Sequence, residues 1–315
     1  MSVAGFSQLM SGDRPFLTDA GLETWLVFHK GLDLPCFAAF GLVQSDEGRR
    51  VLSEYYADMA ALSAEQAAGF VFEAPTWRAN SDWGAELGYD ASALAGANAD
   101  AIAFLKEMAT ASGLDDDRIV ISGNIGPRGD GYRADDQMTA AEAEAYHSAQ
   151  IRTFADAGAD VVTAMTLNYV NEAVGVARAA KAAGLPCVIA FTVETDGKLP
   201  TGETLQAAIA KTDANTDGSP AYYMVNCAHP THFETVLEDG ALWTERLRGL
   251  RANASKCSHA ELDEAEELDD GDPEALAGEY VALRRRFPRL TVLGGCCGTD
   301  IRHIRSIAKA VCASA

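Results

Sequence analysis

Eight short apolar runs, each followed by a longer stretch rich in alanine, predict an α/β protein built as a single (β/α)8 TIM barrel. Strands separated by helices pair in parallel through right-handed crossovers, and eight such units in a chain of this length favour a closed barrel over an open sheet. The first run is not followed by the G-x-G-x-x-G of a doubly wound nucleotide fold. No internal repeat or low-complexity linker divides the chain, so residues 1–315 are read as one domain.

The expected strands are, in order, FLTDA (16–20), GFVFEAP (69–75), RIVISGNIG (118–126), DVVTAMTL (160–167), CVIAFTVE (187–194), YYMVNCAHP (222–230), RGLRANAS (248–255) and LTVLGGCCG (290–298). Helical segments lie between them, such as 49–68 and 139–158. The latter opens with Thr139 and Glu142 at capping-box spacing, carries a 3.6-period apolar face and stops at Gly158. After the seventh strand the chain is longer than a barrel connection needs. This acidic insertion near 255–275 is a candidate lid or donor-site loop.

With 48% apolar and 23% charged residues, the composition supports an ordinary globular core. No run approaches the roughly 20 apolar residues that cross a bilayer. The N-terminal MSVAGFSQLMSGDRP lacks a basic start followed by a long apolar stretch, so a cytoplasmic protein without membrane contact is expected. A net charge of -21 excludes a nucleic-acid surface, which needs clustered Lys and Arg. The acidity mainly serves solubility, and the unbalanced run ELDEAEELDDGDPE (261–274) reads as a solvated loop or helix face. Seven dispersed cysteines, an odd number, point to metal or catalytic use rather than a disulfide framework.

In a barrel, chemistry collects where strands end. Cys227 ends the sixth run and Cys296 and Cys297 end the eighth, so all three face one mouth, with Asp19, Glu73, Asn124, Glu194 and Asn253 also at strand ends. Three cysteines fill three tetrahedral positions on Zn²⁺ and leave the fourth open, as a catalytic site does. All-sulfur ligation favours zinc over magnesium or calcium, and Gly294, Gly295 and Gly298 permit the tight turns that aim both neighbouring sulfurs at one ion. Three thiolates against a charge of plus two make a weak Lewis acid for water. They suit instead a thiol substrate that loses its proton and stays electron-rich. The matching reaction is alkylation of sulfur by a methyl group carried on a sulfonium or ammonium centre.

Two other readings stand beside this one. Buried cysteines also serve as small hydrophobes. His229 in CAHP or His259 in KCSH could supply a fourth ligand and close the site into a non-catalytic zinc or redox-sensing centre. Trp25, Trp77, Trp83 and Tyr169 lie near strand ends, where they either line a cationic donor's site or cover the barrel top. His147 falls within a helix and reads as structural.

GGCCGTD together with VNCAHP resembles the paired zinc signature of the homocysteine S-methyltransferase family. The likeness runs over nearly the whole chain. LTDAGLETWL is similar to the family's first-strand segment and keeps Asp19 and Thr24, and FEAPTWRAN resembles the stretch after its second strand and keeps Glu73 and Thr76. SGNIGPRGDGY, FTVETDGKLPTGETL and Asn253 in LRANAS match further segments. The resemblance implies zinc on Cys227, Cys296 and Cys297, and Asp19 helping to hold the substrate's amino group while backbone amides take its carboxylate. Glu23, Thr24, Glu73, Thr76, Met165, Asn226 and Asn253 complete the expected substrate-binding set.

The sequence also departs from the family's pattern. Met165 stands where the resemblance implies a glutamate contacting the homocysteine amine, and losing such a charge-assisted bond weakens binding by ~1.5–3 kcal/mol. Glu23 occupies a normally small position and is a candidate to compensate. Pro75 and Trp77 also depart from the pattern. The expected partners are therefore a small thiol acceptor and a methyl donor. The leading acceptor is homocysteine, giving methionine, with another thiol or selenol as the alternative. The donor is S-methylmethionine, S-adenosylmethionine or a betaine-like compound, and no cobalamin or folate module is expected. A homo-oligomer is left open.

Overall fold

The computed structural model describes residues 3–265 and 267–312. Its eight strands are β1 (Phe16–Leu17), β2 (Gly69–Glu73), β3 (Ile119–Ile125), β4 (Val161–Leu167), β5 (Cys187–Phe191), β6 (Tyr222–Asn226), β7 (Leu247–Ala252) and β8 (Val292–Gly295). They close in sequence order, β8 pairing with β1, and every pairing is parallel. This is the (β/α)8 barrel expected from the alternation of short and long segments. Most expected runs extend past the ladder that forms, because the polar and glycine-rich residues at their C-terminal ends turn away to build the mouth.

Period-two alternation sorts the strand residues into two apolar layers. Val71, Val120, Val161, Val188, Met224 and Val292 fill the barrel interior, and Leu9 of the helix Val3–Ser11 packs into the same cluster. Their neighbours, such as Phe70, Phe72, Ile189 and Leu250, face outward into the larger layer beneath the helices. Ser45 accepts a hydrogen bond from Gly48 N and starts the helix Asp46–Glu65 ahead of the apolar stretch that marked it in the sequence. The helix Ala140–Ala157 carries the complete Thr139/Glu142 capping box and stops at Gly158 with φ 76°, a left-handed C-cap.

The insertion after β7 forms a short helix, His259–Asp263, with a second capping box from Ser258 and Glu261. An irregular stretch then leads to Asp272, which caps the helix Pro273–Arg286. Residue 266, within the acidic run 261–274, lies outside the described residues. Among the described residues no helix is long and apolar enough to cross a membrane.

Lateral register decides what meets at the mouth. Asn226 pairs with Arg251, and Arg251 with Gly294, so these three form one row across β6, β7 and β8. Cys227 follows that row directly, and Cys296 follows Gly295 one residue further on. Tyr280 fixes the spacing of β7 and β8 from behind, because its buried hydroxyl donates to Gly294 O at 2.6 Å and accepts from Ala252 N at 2.9 Å. Tyr280→Phe leaves a buried N–H and a buried carbonyl short of a partner and is expected to cost about 1–3 kcal/mol. Urea denaturation followed by circular dichroism checks this; an unchanged midpoint would mean that the hydroxyl does not hold the two strands.

Candidate active site

Cys227 leaves β6 with φ 53°, a left-handed conformation that a residue with a Cβ adopts only when its surroundings hold it there. Those surroundings converge on its peptide groups. Its N–H donates to Arg251 O at 3.1 Å. Its carbonyl accepts from Asn253 Nδ2 at 3.1 Å and from His259 Nε2 at 2.6 Å. Across the mouth Thr166, with φ 61°, is clamped the same way by Asn226, whose amide accepts from Thr166 N at 2.8 Å and donates to Thr166 Oγ1 at 2.9 Å. At the end of β8, Cys296 N donates to Ala252 O, and Thr299 ties the Cys296 carbonyl through Oγ1 at 2.7 Å.

The sulfurs of Cys227, Cys296 and Cys297 all lie within 4.8 Å of one another, and no His, Asp or Glu joins the group among the described residues. Cys227 and Cys296 are joined as a disulfide with Cα atoms 5.4 Å apart, while Cys297 is a free thiol. Cys297 Sγ lies 3.8 Å from Cys227 Sγ. That separation is the edge of a tetrahedron with metal–sulfur bonds of about 2.3 Å, so in the reduced protein this donor set fits a thiophilic ion such as zinc. Burial pushes the Cys297 thiol up to about 11, opposed by its hydrogen bond with Tyr132. Without a cation to displace the proton, the group is therefore neutral at pH 7.

Two cavities meet at the sulfurs. The inner one, about 60 Å³, is bounded by Glu23, Asn124, Met165, Thr166, Asn226 and Arg251 together with the three cysteines. The outer one, about 350 Å³, lies under the acidic insertion, which contributes Asp263, Glu267 and Asp269 to its wall, with Asp130 opposite. Phe37, Trp77, Tyr132 and Cys297 belong to both. Tyr132 donates to Cys227 Sγ at 3.5 Å and stacks on His259, with ring centroids 4.1 Å apart. Arg78 is held between Trp77 and Trp83, its guanidinium carbon 4.1 and 4.2 Å from the two ring centroids.

This chain matches the family model described as homocysteine S-methyltransferase over residues 17–311. It belongs to the homocysteine S-methyltransferase family. Among solved structures it is similar to the homocysteine methyltransferase MmuM from Escherichia coli. Its oxidized form matches at 19% identity and TM-score 0.74, covering 99% of each chain, and its metallated form at 18% and 0.68, covering 94% of this chain and 96% of that one. No curated protein matches. The chain is thus a methyltransferase on the TIM-barrel scaffold of its family.

Within that family frame, the expected site residues divide. Cys227, Cys296 and Cys297 come together, and Glu23, Met165 and Asn226 line the chamber beside them. Thr24 borders the outer cavity, its hydroxyl donating to Gly21 O and accepting from Gly298 N. Thr76 donates to Asn124 O, and Asn253 holds the Cys227 carbonyl, so both act on the backbone. Asp19 is buried against Arg251, with Oδ1 2.7 Å from Nη2, and accepts from Tyr55 OH at 3.3 Å. His229 hydrogen bonds Thr231, and His147 hydrogen bonds Glu172 in the helical layer. Of the aromatics singled out by sequence, Trp77 lines both cavities and Trp83 braces Arg78, whereas Trp25 packs on Tyr55 and Tyr169 accepts from Met138 N.

Sequence reasoning missed Arg251, Tyr132 and Arg78. Arg251 did carry a signal, as a charge inside an apolar strand run that demands a buried partner. Tyr132 and Arg78 sit in irregular segments with no periodicity to read.

Glu73 lies at the end of β2 inside the barrel, and burial pushes its carboxyl up to about 7, opposed first by Arg251. Folding therefore favours its protonated form. The associated stability is fully present below the ordinary carboxyl value of 4.5 and is lost as pH rises through about 7. Glu73→Gln should flatten the decline in stability over that window and raise stability at pH 8 by on the order of 2 kcal/mol. Glu23, also raised to about 7 by burial, keeps part of the slope. Urea titrations between pH 4.5 and 8 measure the difference; an identical profile would show that Glu73 ionises normally.

Proposed function

We propose that this methyltransferase moves a methyl group from an onium donor to the sulfur of homocysteine, giving methionine, with zinc held by Cys227, Cys296 and Cys297. The observation that carries the reading is the three-sulfur cluster, with no fourth protein ligand among the described residues, opening onto a chamber. Zinc bound there would make an incoming thiol a good nucleophile by taking it as the thiolate. The chain's own residues do the rest. Asn253 and His259 fix the Cys227 backbone, Thr299 fixes that of Cys296, and Tyr132 hydrogen bonds the Cys227 sulfur. Such outer contacts orient ligands and commonly contribute about 10–100-fold in metal affinity.

The outer cavity supports the donor half of the proposal. A positively charged methyl carrier is attracted by aromatic faces and by carboxylates, and this cavity offers Phe28, Phe37, Trp77 and Tyr132 beside Asp130, Asp263, Glu267 and Asp269. Arg78 adds one cation to that wall, which suits a donor bearing both an onium centre and a carboxylate: S-methylmethionine, S-adenosylmethionine or a betaine. In the transfer, the bond from methyl carbon to onium atom breaks as the carbon–sulfur bond forms. The donor leaves neutral at that atom, and the acceptor's thiol proton is lost to solvent. The same chemistry on another small thiol or selenol is the second reading, favoured by the apolar Met165 in the chamber wall.

Incubating reduced, zinc-loaded protein with homocysteine and each donor should yield methionine, detected by mass spectrometry, from at least one onium compound. No methionine from any of them would reject homocysteine transfer. Cys227→Ser should lower metal affinity by more than the roughly 10–100-fold typical of outer contacts and abolish turnover. Full zinc content and full activity in that variant, by metal analysis and assay, would reject the three-cysteine site.

A further inference from the structure

The chamber beside the sulfurs has a charge arrangement that fits one end of an amino-acid thiol better than the other. Asp19 is ion-paired to Arg251 and Glu73 also acts on that guanidinium; both carboxylates are buried and neither lines the chamber. Met165 presents a thioether, which is a poor partner for an ammonium. Arg251 itself does line the chamber, and it is the one cationic side chain to do so among the described residues. A guanidinium carries five N–H donors. Arg251 directs Nε to Gly295 O at 3.0 Å, and Nη2 to Ala20 O at 3.0 Å and to Asp19, while Nη1 makes no hydrogen bond among the described residues.

We infer that Arg251 is the specificity-determining residue for the acceptor: the chamber recognises a thiol by a carboxylate placed a few carbons from its sulfur and dispenses with the ammonium. The inference rests on the reading of this chamber as the acceptor site. Two N–H groups on one nitrogen, backed by a rigid ion pair, form a pre-oriented anion anchor. Asp19 holds the guanidinium through Nη2 and leaves Nη1 for a ligand's carboxylate. Competing acceptors for an ammonium are Asn124, whose Oδ1 is buried without a partner, and Glu23 on the same wall. Glu23 shares that wall with Arg251, so it is the rival anchor that the ligands below separate.

The test uses the wild-type protein, reduced and loaded with zinc, and reads thiol binding by calorimetry without any methyl donor. Three ligands separate the two ends of the acceptor: homocysteine, 4-sulfanylbutanoate, which lacks the amine, and 3-aminopropane-1-thiol, which lacks the carboxylate. Expected are Kd values for the first two within about threefold, and binding of the third weaker by about 10- to 100-fold, the worth of a charge-assisted bond. Equal binding of all three, no binding, or preference for the aminothiol overturns the inference, the last result pointing to Glu23.

Arg251→Gln should erase the advantage of the carboxylate thiols, and Arg251→Lys should restore part of it. Should Arg251→Gln fail to fold because Asp19 is left unpaired, the double variant Asp19→Asn/Arg251→Gln removes both charges, and the same loss is expected of it. Binding in the expected order without transfer from any donor would overturn the proposed reaction and leave the acceptor assignment standing.

Discussion

The ion pair between Arg251 and Asp19 bridges the seam at which the barrel closes. Arg251 belongs to β7, reaches past β8 by way of Gly295 O, and ends on Ala20 O and Asp19 just beyond β1. Three strands that the chain orders far apart are thereby held by one side chain, at the level where the cysteines emerge. A charge this deep is tolerated only because it is paired and its hydrogen bonds to the backbone are made. Removing either partner would leave an uncompensated charge under the sulfur cluster, so the closure of the fold and the shape of the acceptor chamber rest on the same contact.

Above that seam, the site depends on backbone conformations that the chain would not adopt unaided. Cys227 and Thr166 both hold positive φ, and each is restrained by an asparagine amide from another strand end. Here polar side chains at strand ends act on the main chain, and Asn226 lines the inner chamber as well. Asn253 thus shapes the turn that carries Cys227, and Asn226 both clamps Thr166 and faces the chamber.

The fold was legible because it rests on periodicity. Eight apolar runs and the helices between them follow from patterns a few residues long, and the Thr139 capping box with Gly158 fixed one helix at both ends. The cysteine cluster was legible for a related reason: residues at the C-terminal ends of the parallel strands must share one face of a barrel. What was not legible lies in long-range pairing and irregular loops. Nothing local tells that Arg251 and Asp19, 232 positions apart, will meet. Tyr132, after β3, meets the sulfurs while stacking on His259, after β7, a contact between distant segments. Arg78 takes its place between Trp77 and Trp83 through an irregular loop with no periodicity to announce it.

The tyrosine ring also has a geometric effect on the traffic of substrates. Tyr132 and His259 together form an arch whose two feet stand on opposite loops, and the ring is a shared partition between the small inner chamber and the larger outer one. A molecule in either compartment presses on the same ring, so neither compartment can be reshaped alone. The arch is a party wall, and in the proposed transfer a methyl group would cross beside it.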